Sequence, residues 1–95
     1  MYYVYILTNK NNTTLYTGIT NDIVRRVAEH KSHIDKNSFS ARYQTEKLVY
    51  YEVLTNPEDA IRREKQIKGG SREKKLILIN EMNPSWEDLS KDFNG

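Results

Sequence analysis

Apolar and aromatic positions fall into short runs between polar clusters, and the period of each run names its element. Tyr2-Tyr3-Val4-Tyr5-Ile6-Leu7-Thr8 predicts a strand, with Tyr3, Tyr5 and Leu7 on one face and Tyr2, Val4 and Ile6 on the other. Asn9-Lys10-Asn11-Asn12 is turn chemistry, since asparagine tolerates positive φ and bonds its own backbone. A second strand from about Thr13 to Ile19 completes an antiparallel hairpin. In it Tyr16 and Gly18 share a face, and the glycine leaves a gap that a ligand or another backbone can approach. Thr20 or Asn21 then caps a helix from about Asp22 to His33, with Asp22 in its positive first turn. Ile23, Val27, His30 and Ile34 form an apolar stripe along it that includes an imidazole, and Arg26 lies one turn before His30.

From Ser32 to Lys47 the chain is polar, with Phe39 and Tyr43 set among Lys36, Arg42 and Lys47. Interleaved aromatic and basic residues suit base stacking and phosphate contact, while the plainer reading is that the aromatics pin the loop to the core. Leu48 to Leu54 predicts a third strand, apolar on both faces and therefore expected at the sheet's centre. Asn56-Pro57-Glu58-Asp59 is a helix start, and Gly69-Gly70 ends that helix. Ser71 caps a third helix through Leu76-Ile77-Leu78-Ile79, unless that run is a short strand. Trp86 is expected to pack back onto the core, closing a single domain over residues 1–86, and the acidic tail 87–95 is expected to fray. The fold class is α+β, a three-stranded antiparallel sheet flanked by helices in the order β-β-α-β-α-α.

Composition narrows the chemistry. The 95 residues contain no cysteine, which excludes disulfides and thiolate-held metals. No apolar run approaches a membrane span and no charged leader precedes the first strand, so a cytoplasmic protein without membrane contact is expected, monomeric by default. Residues 1–80 carry 14 Lys/Arg against 9 Asp/Glu, whereas residues 81–95 carry 1 against 4. Seven cations fall within 62–75, a density that suits a phosphate backbone and equally describes a solvated helix face. His30 and His33 alone make an incomplete zinc site, and no glycine-rich phosphate loop precedes a helix.

One carboxylate breaks the second helix's pattern. Ala60, Ile61 and Ile67 form its apolar stripe, Glu64 sits within that stripe, and Arg62, Arg63 and Lys65 point away. An inward carboxylate is costly unless paired: with Arg26, with a divalent cation, or with a neighbouring lysine at the helix edge.

Tyr3-Val4-Tyr5, then Tyr16-Thr17-Gly18, then Arg26, His30 and Glu64 together resemble the GIY-YIG nuclease domain, in particular its small stand-alone members. The likeness runs from Tyr2 to about Trp86 and includes the Arg-Arg-Glu helix and the closing Asn-Pro-x-Trp. Tyr3 stands where the family name has glycine. The resemblance implies phosphodiester cleavage with one Mg2+ or Mn2+ held on Glu64, which stabilises charge on the scissile phosphate. It implies Tyr5 as general base, helped by His30, Tyr16 positioning nucleophile or phosphate, and Arg26 on a phosphate oxygen. Phosphate or base contacts are expected from Gly18, Arg25, Lys36, Arg42, Tyr43, Arg63, Lys68 and the family asparagine, which is Asn83 or Asn80.

The function expected is a metal-dependent nuclease on DNA rather than RNA, structure-selective or weakly specific, in repair or recombination, with a protein partner as one source of specificity. The alternatives are a catalytically weak nucleic-acid-binding module using the same cleft and a small protein-interaction domain. Five reactive side chains favour catalysis, because a binder has no use for an inward glutamate.

Overall fold

Strand β1 (Tyr2–Thr8) runs down the middle of a three-stranded antiparallel sheet, flanked by β2 (Leu15–Thr20) and β3 (Lys47–Leu54). The computed structural model describes residues 1–32 and 44–94; the readings made on Lys36, Phe39, Arg42, Tyr43, His33 and Ile34 lie outside them. The hairpin turn is held by Asn9, whose Oδ1 accepts from the N–H groups of Thr13 at 2.8 Å and Thr14 at 3.1 Å. Asn12 takes the positive φ, 58°, that asparagine tolerates. Because Asn9 occupies those two amides, β2 starts at Leu15, later than the apolar pattern suggested.

The expectation of a central third strand is corrected: β3 is an edge strand, and β1 is the centre. Its two apolar faces have another cause, namely that both sides of the sheet are covered. On one side Val4, Ile6, Val49 and Tyr50 pack with Ile67 and Ile79 from the second and third helices. On the other, Tyr5, Leu7 and Leu48 pack with Ile23 and Val27 from the first. An irregularity opposite Ile6 and Leu7 turns both Val49 and Tyr50 toward the first of these layers.

Helix α1 (Ile23–Ser32) is capped by Asp22 itself, whose Oδ1 accepts from Arg25 N–H at 3.1 Å, rather than by Thr20 or Asn21. Thr20 Oγ1 instead accepts from Asp22 N–H at 3.1 Å, from two residues before the cap. Helix α2 (Pro57–Lys68) begins under the Asn56 cap and ends as Gly69 N–H bonds Lys65 O at 2.9 Å. Ser71 Oγ accepts from Lys74 N–H at 3.2 Å and starts α3 (Arg72–Met82), which settles the 76–79 run as helix. No helix among the described residues is long and apolar enough to cross a membrane.

The acidic tail does not fray as expected. Leu89–Asn94 forms a 3-10 helix whose Leu89 and Phe93 pack against the Tyr5 side of the sheet, and Ser90 is buried. Asp88 anchors it, accepting from Leu48 N–H at 3.2 Å, Ser90 N–H at 3.0 Å, Ser90 Oγ at 2.6 Å and Lys31 Nζ at 2.6 Å. Burial pushes the Asp88 carboxyl up, but these donors outweigh it and hold the group below its ordinary value. Its contribution to stability is therefore present above pH 3.8 or so and is lost as pH falls through the depressed value. Asp88→Asn is expected to cost about 2 kcal/mol in urea unfolding at neutral pH, a gap from wild type that narrows on acidification below that range.

Candidate active site

The hairpin register sets Tyr5 directly opposite Gly18. Gly18 has no positive φ, so what it supplies is space: a Cβ there would lie 2.4 Å from Tyr5 Oη and 3.1 Å from Tyr16 Cε1. The Tyr5 ring lies across that gap, 1% exposed, and its Oη is 3.3 Å from Nε2 of His30 on α1. With Nδ1 carrying the imidazole's proton, the phenol donates and Nε2 accepts. Tyr16 completes the group, its ring centroid 5.2 Å from that of His30 and 6.3 Å from that of Tyr5.

Burial dominates the electrostatics of Tyr5. It pushes the phenol well above the ordinary tyrosine value, the neighbouring Tyr16 adds to this, Arg26 opposes it, and Glu29 and Glu64 reinforce it. Burial thus favours the protonated phenol at neutral pH. The geometry leaves a hydroxyl that shares a hydrogen bond with the His30 imidazole.

Arg26 lies near enough for its charge to act on Tyr5, its side chain 47% exposed and its Nε 3.8 Å from Glu29 Oε1. Arg25 is more exposed and touches Glu29 at 3.9 Å. Such open pairs are weak, so both guanidinia remain available to an anion. Together with Thr20, Asn21, Asp22 and Glu29 they line a polar cleft of about 140 Å³ that carries two acids beside the two guanidinia.

Glu64 is half-buried on α2, and its charge reaches Tyr5. It has no hydrogen bond or ion pair with any described residue, so neither the lysine pairing nor the Arg26 pairing weighed from sequence occurs among them. The described residues hold no group of three or more His, Cys, Asp or Glu side chains about one point, so a cation on Glu64 would be a hard ion such as Mg2+ or Mn2+, which commonly takes one carboxylate and completes its shell with water and phosphate oxygens.

Three expectations are corrected. Arg63 does not point away: its Nε and Nη2 form a fork on Glu52 of β3, at 3.0, 3.1 and 2.8 Å, so it is not a free phosphate contact. Asn83 is 5% exposed and its amide is spent, donating to Val49 O at 3.2 Å and Glu87 O at 2.8 Å and accepting from Glu87 N–H at 3.1 Å. Its alternative, Asn80, accepts from Trp86 Nε1 at 2.7 Å, so Trp86 packs against the core as expected but tied by its polar end. Ile61 leaves the apolar stripe at 46% exposure, since α2 buries Ala60 and Ile67 and turns Ile61 to its flank. Lys68 is exposed in the last turn of α2. The Glu52 contact had one signal in the sequence, a lone carboxylate interrupting an apolar strand.

A family profile described as the GIY-YIG catalytic domain matches residues 1–77. A UPF0213 protein of Clostridium perfringens is 38% identical over 98 residues, covering 99% of each chain. One from Syntrophus aciditrophicus is 40% identical over 79 residues, 83% of this chain and 90% of its own. The solution NMR structure of a UPF0213 protein from Bacillus halodurans superposes with a TM-score of 0.57 at 34% identity, covering 96% of both chains.

Proposed function

Since the chain belongs to the GIY-YIG catalytic domain family, a family of nucleases, we propose that it hydrolyses phosphodiester bonds in DNA with one Mg2+ or Mn2+ held on Glu64. The observation that carries this reading is Glu64 itself: a half-buried carboxylate without a partner among the described residues, whose charge is felt at the Tyr5 phenol, which is in turn bonded to His30. When bound, the ion supplies positive charge to the phosphate undergoing attack.

The chain's own residues supply the proton chemistry. Tyr5 Oη takes a proton from the attacking water while passing its own to His30 Nε2, so no free phenolate forms. The water oxygen bonds to phosphorus as the P–O bond to the leaving group breaks, and the leaving oxygen keeps that electron pair and takes up a proton from solvent. Arg26, forked and exposed beside this pair, grips a non-bridging phosphate oxygen, and Arg25 extends that grip along the backbone. Tyr16 packs on His30 and holds the imidazole in register with the phenol. Recognition is of nucleic-acid structure or is weakly specific, which suits repair or recombination intermediates, with a protein partner as a further source of selectivity.

The test is cleavage of labelled single-stranded, duplex and branched DNA with Mg2+, Mn2+ or chelator, wild type beside Tyr5→Phe. Metal-dependent products from wild type are expected, and Tyr5→Phe is expected to lose about 10²-fold in rate with its melting temperature little changed. Salt-sensitive binding without any product would transfer the reading to a nucleic-acid-binding module.

A further inference from the structure

We propose that Glu52 is a positioning residue for the Glu64 carboxylate, acting through Arg63; the inference rests on the reading of Glu64 as the metal-holding group. Arg63 and Glu64 are consecutive on α2, so whatever fixes the Arg63 side chain fixes the rotation of the turn that presents Glu64. Glu52 does this from β3 with a two-pronged contact, and the fork is steadied at its other end by Gln66 Oε1, 2.8 Å from Nη1. Tyr50 Oη donates to the same Glu52 carboxylate, which leaves the acid little freedom to follow a moving guanidinium. Both partners are largely withdrawn from water, at 29% and 24% side-chain exposure, and no other ion pair among the described residues joins α2 to the sheet.

Charge acts in the same direction. Glu52 neutralises a guanidinium one residue from the carboxylate that is to hold a cation; without it, an unpaired positive charge sits beside the ion. Position and charge part company when Arg63 is removed instead. Loss of the guanidinium leaves net negative charge near Glu64, which by charge alone tightens a cation, whereas loss of the clamp loosens it.

The experiment is a Mn2+ titration followed by paramagnetic broadening of backbone amide signals, with thermal melts of each variant to keep every titration below its transition. Wild type is expected to broaden around Glu64. Glu52→Gln is expected to weaken Mn2+ about 10-fold, the size of effect typical of groups that orient a metal ligand. Arg63→Ala is expected to weaken it too, and the exchanged pair Glu52→Arg with Arg63→Glu to recover most of the affinity. A merely structural pair would lower the melting temperature and leave Mn2+ affinity unchanged in the folded variants, which overturns the inference while the nuclease reading stands. No broadening at Glu64 in wild type removes the metal-holding role and this inference together.

Discussion

Glu64→Ala is expected to abolish Mg2+-dependent cleavage, lowering the rate by about 10³-fold or more, and to leave DNA affinity equal to or above that of wild type. The magnitude follows from the several kcal/mol of charge stabilisation that a metal gives a phosphoryl transition state. The direction for binding follows from the site: Glu64 has no partner among the described residues to disturb, and removing a negative charge that acts on Tyr5 eases the approach of a phosphate there. Cleavage of labelled duplex beside a binding titration at two salt concentrations measures both quantities. Were affinity to collapse with activity, Glu64 would belong to the fold rather than to the chemistry.

Gly18→Val strikes the site from beneath. A Cβ at that position lies 2.4 Å from Tyr5 Oη and 2.5 Å from its Cζ, and Tyr5 has no free volume to retreat into, being 1% exposed. Either the phenol swings off His30 or the hairpin opens. The expected outcome is about 3 kcal/mol of destabilisation by urea unfolding. Displacing a reacting group by an ångström costs cleavage about 10²-fold further. Gly18→Ala is the milder probe, with the same signs and smaller sizes. A variant that unfolds like wild type and cleaves like wild type would show that the phenol does not need its place over the glycine.

Local chemistry was legible wherever its partners lie within a few residues. Asn9 to Asn12, the Asn56-Pro57 start, the Gly69 stop and the Ser71 cap all declare themselves, because each bond closes within five residues. Alternation set Tyr16 and Gly18 on one face of β2 with a gap at the glycine, and helical spacing set Arg26 one turn before His30, while the register that lays Tyr5 across that gap came only from the structure. Only the family resemblance, not spacing, grouped Glu64 with them as a candidate.

The failures share a cause. An apolar strand records that both its faces are covered, and says nothing about how many strands it pairs with; β3 was therefore placed at the centre when it lies at the edge. Asn83 reads as a family asparagine, yet its amide is committed to Val49, 34 residues away, a distance no local pattern encodes. Arg63 looks like one more solvated cation in a basic helix until a strand is laid beside it. The acidic composition of the tail suggested fraying, while one aspartate with four donors was enough to order it.

The Asn83–Ser90 segment has a consequence beyond ordering the C-terminus. An outermost strand ordinarily offers a row of vacant amides and carbonyls to any extended chain that drifts past, including another copy of itself. Here the vacant positions nearest the start of β3 are already answered, the Leu48 N–H by Asp88 and the Val49 carbonyl by Asn83. The protein thus mimics a fourth strand with two side chains, and denies stray peptides a template on the flank where its sheet would be stickiest.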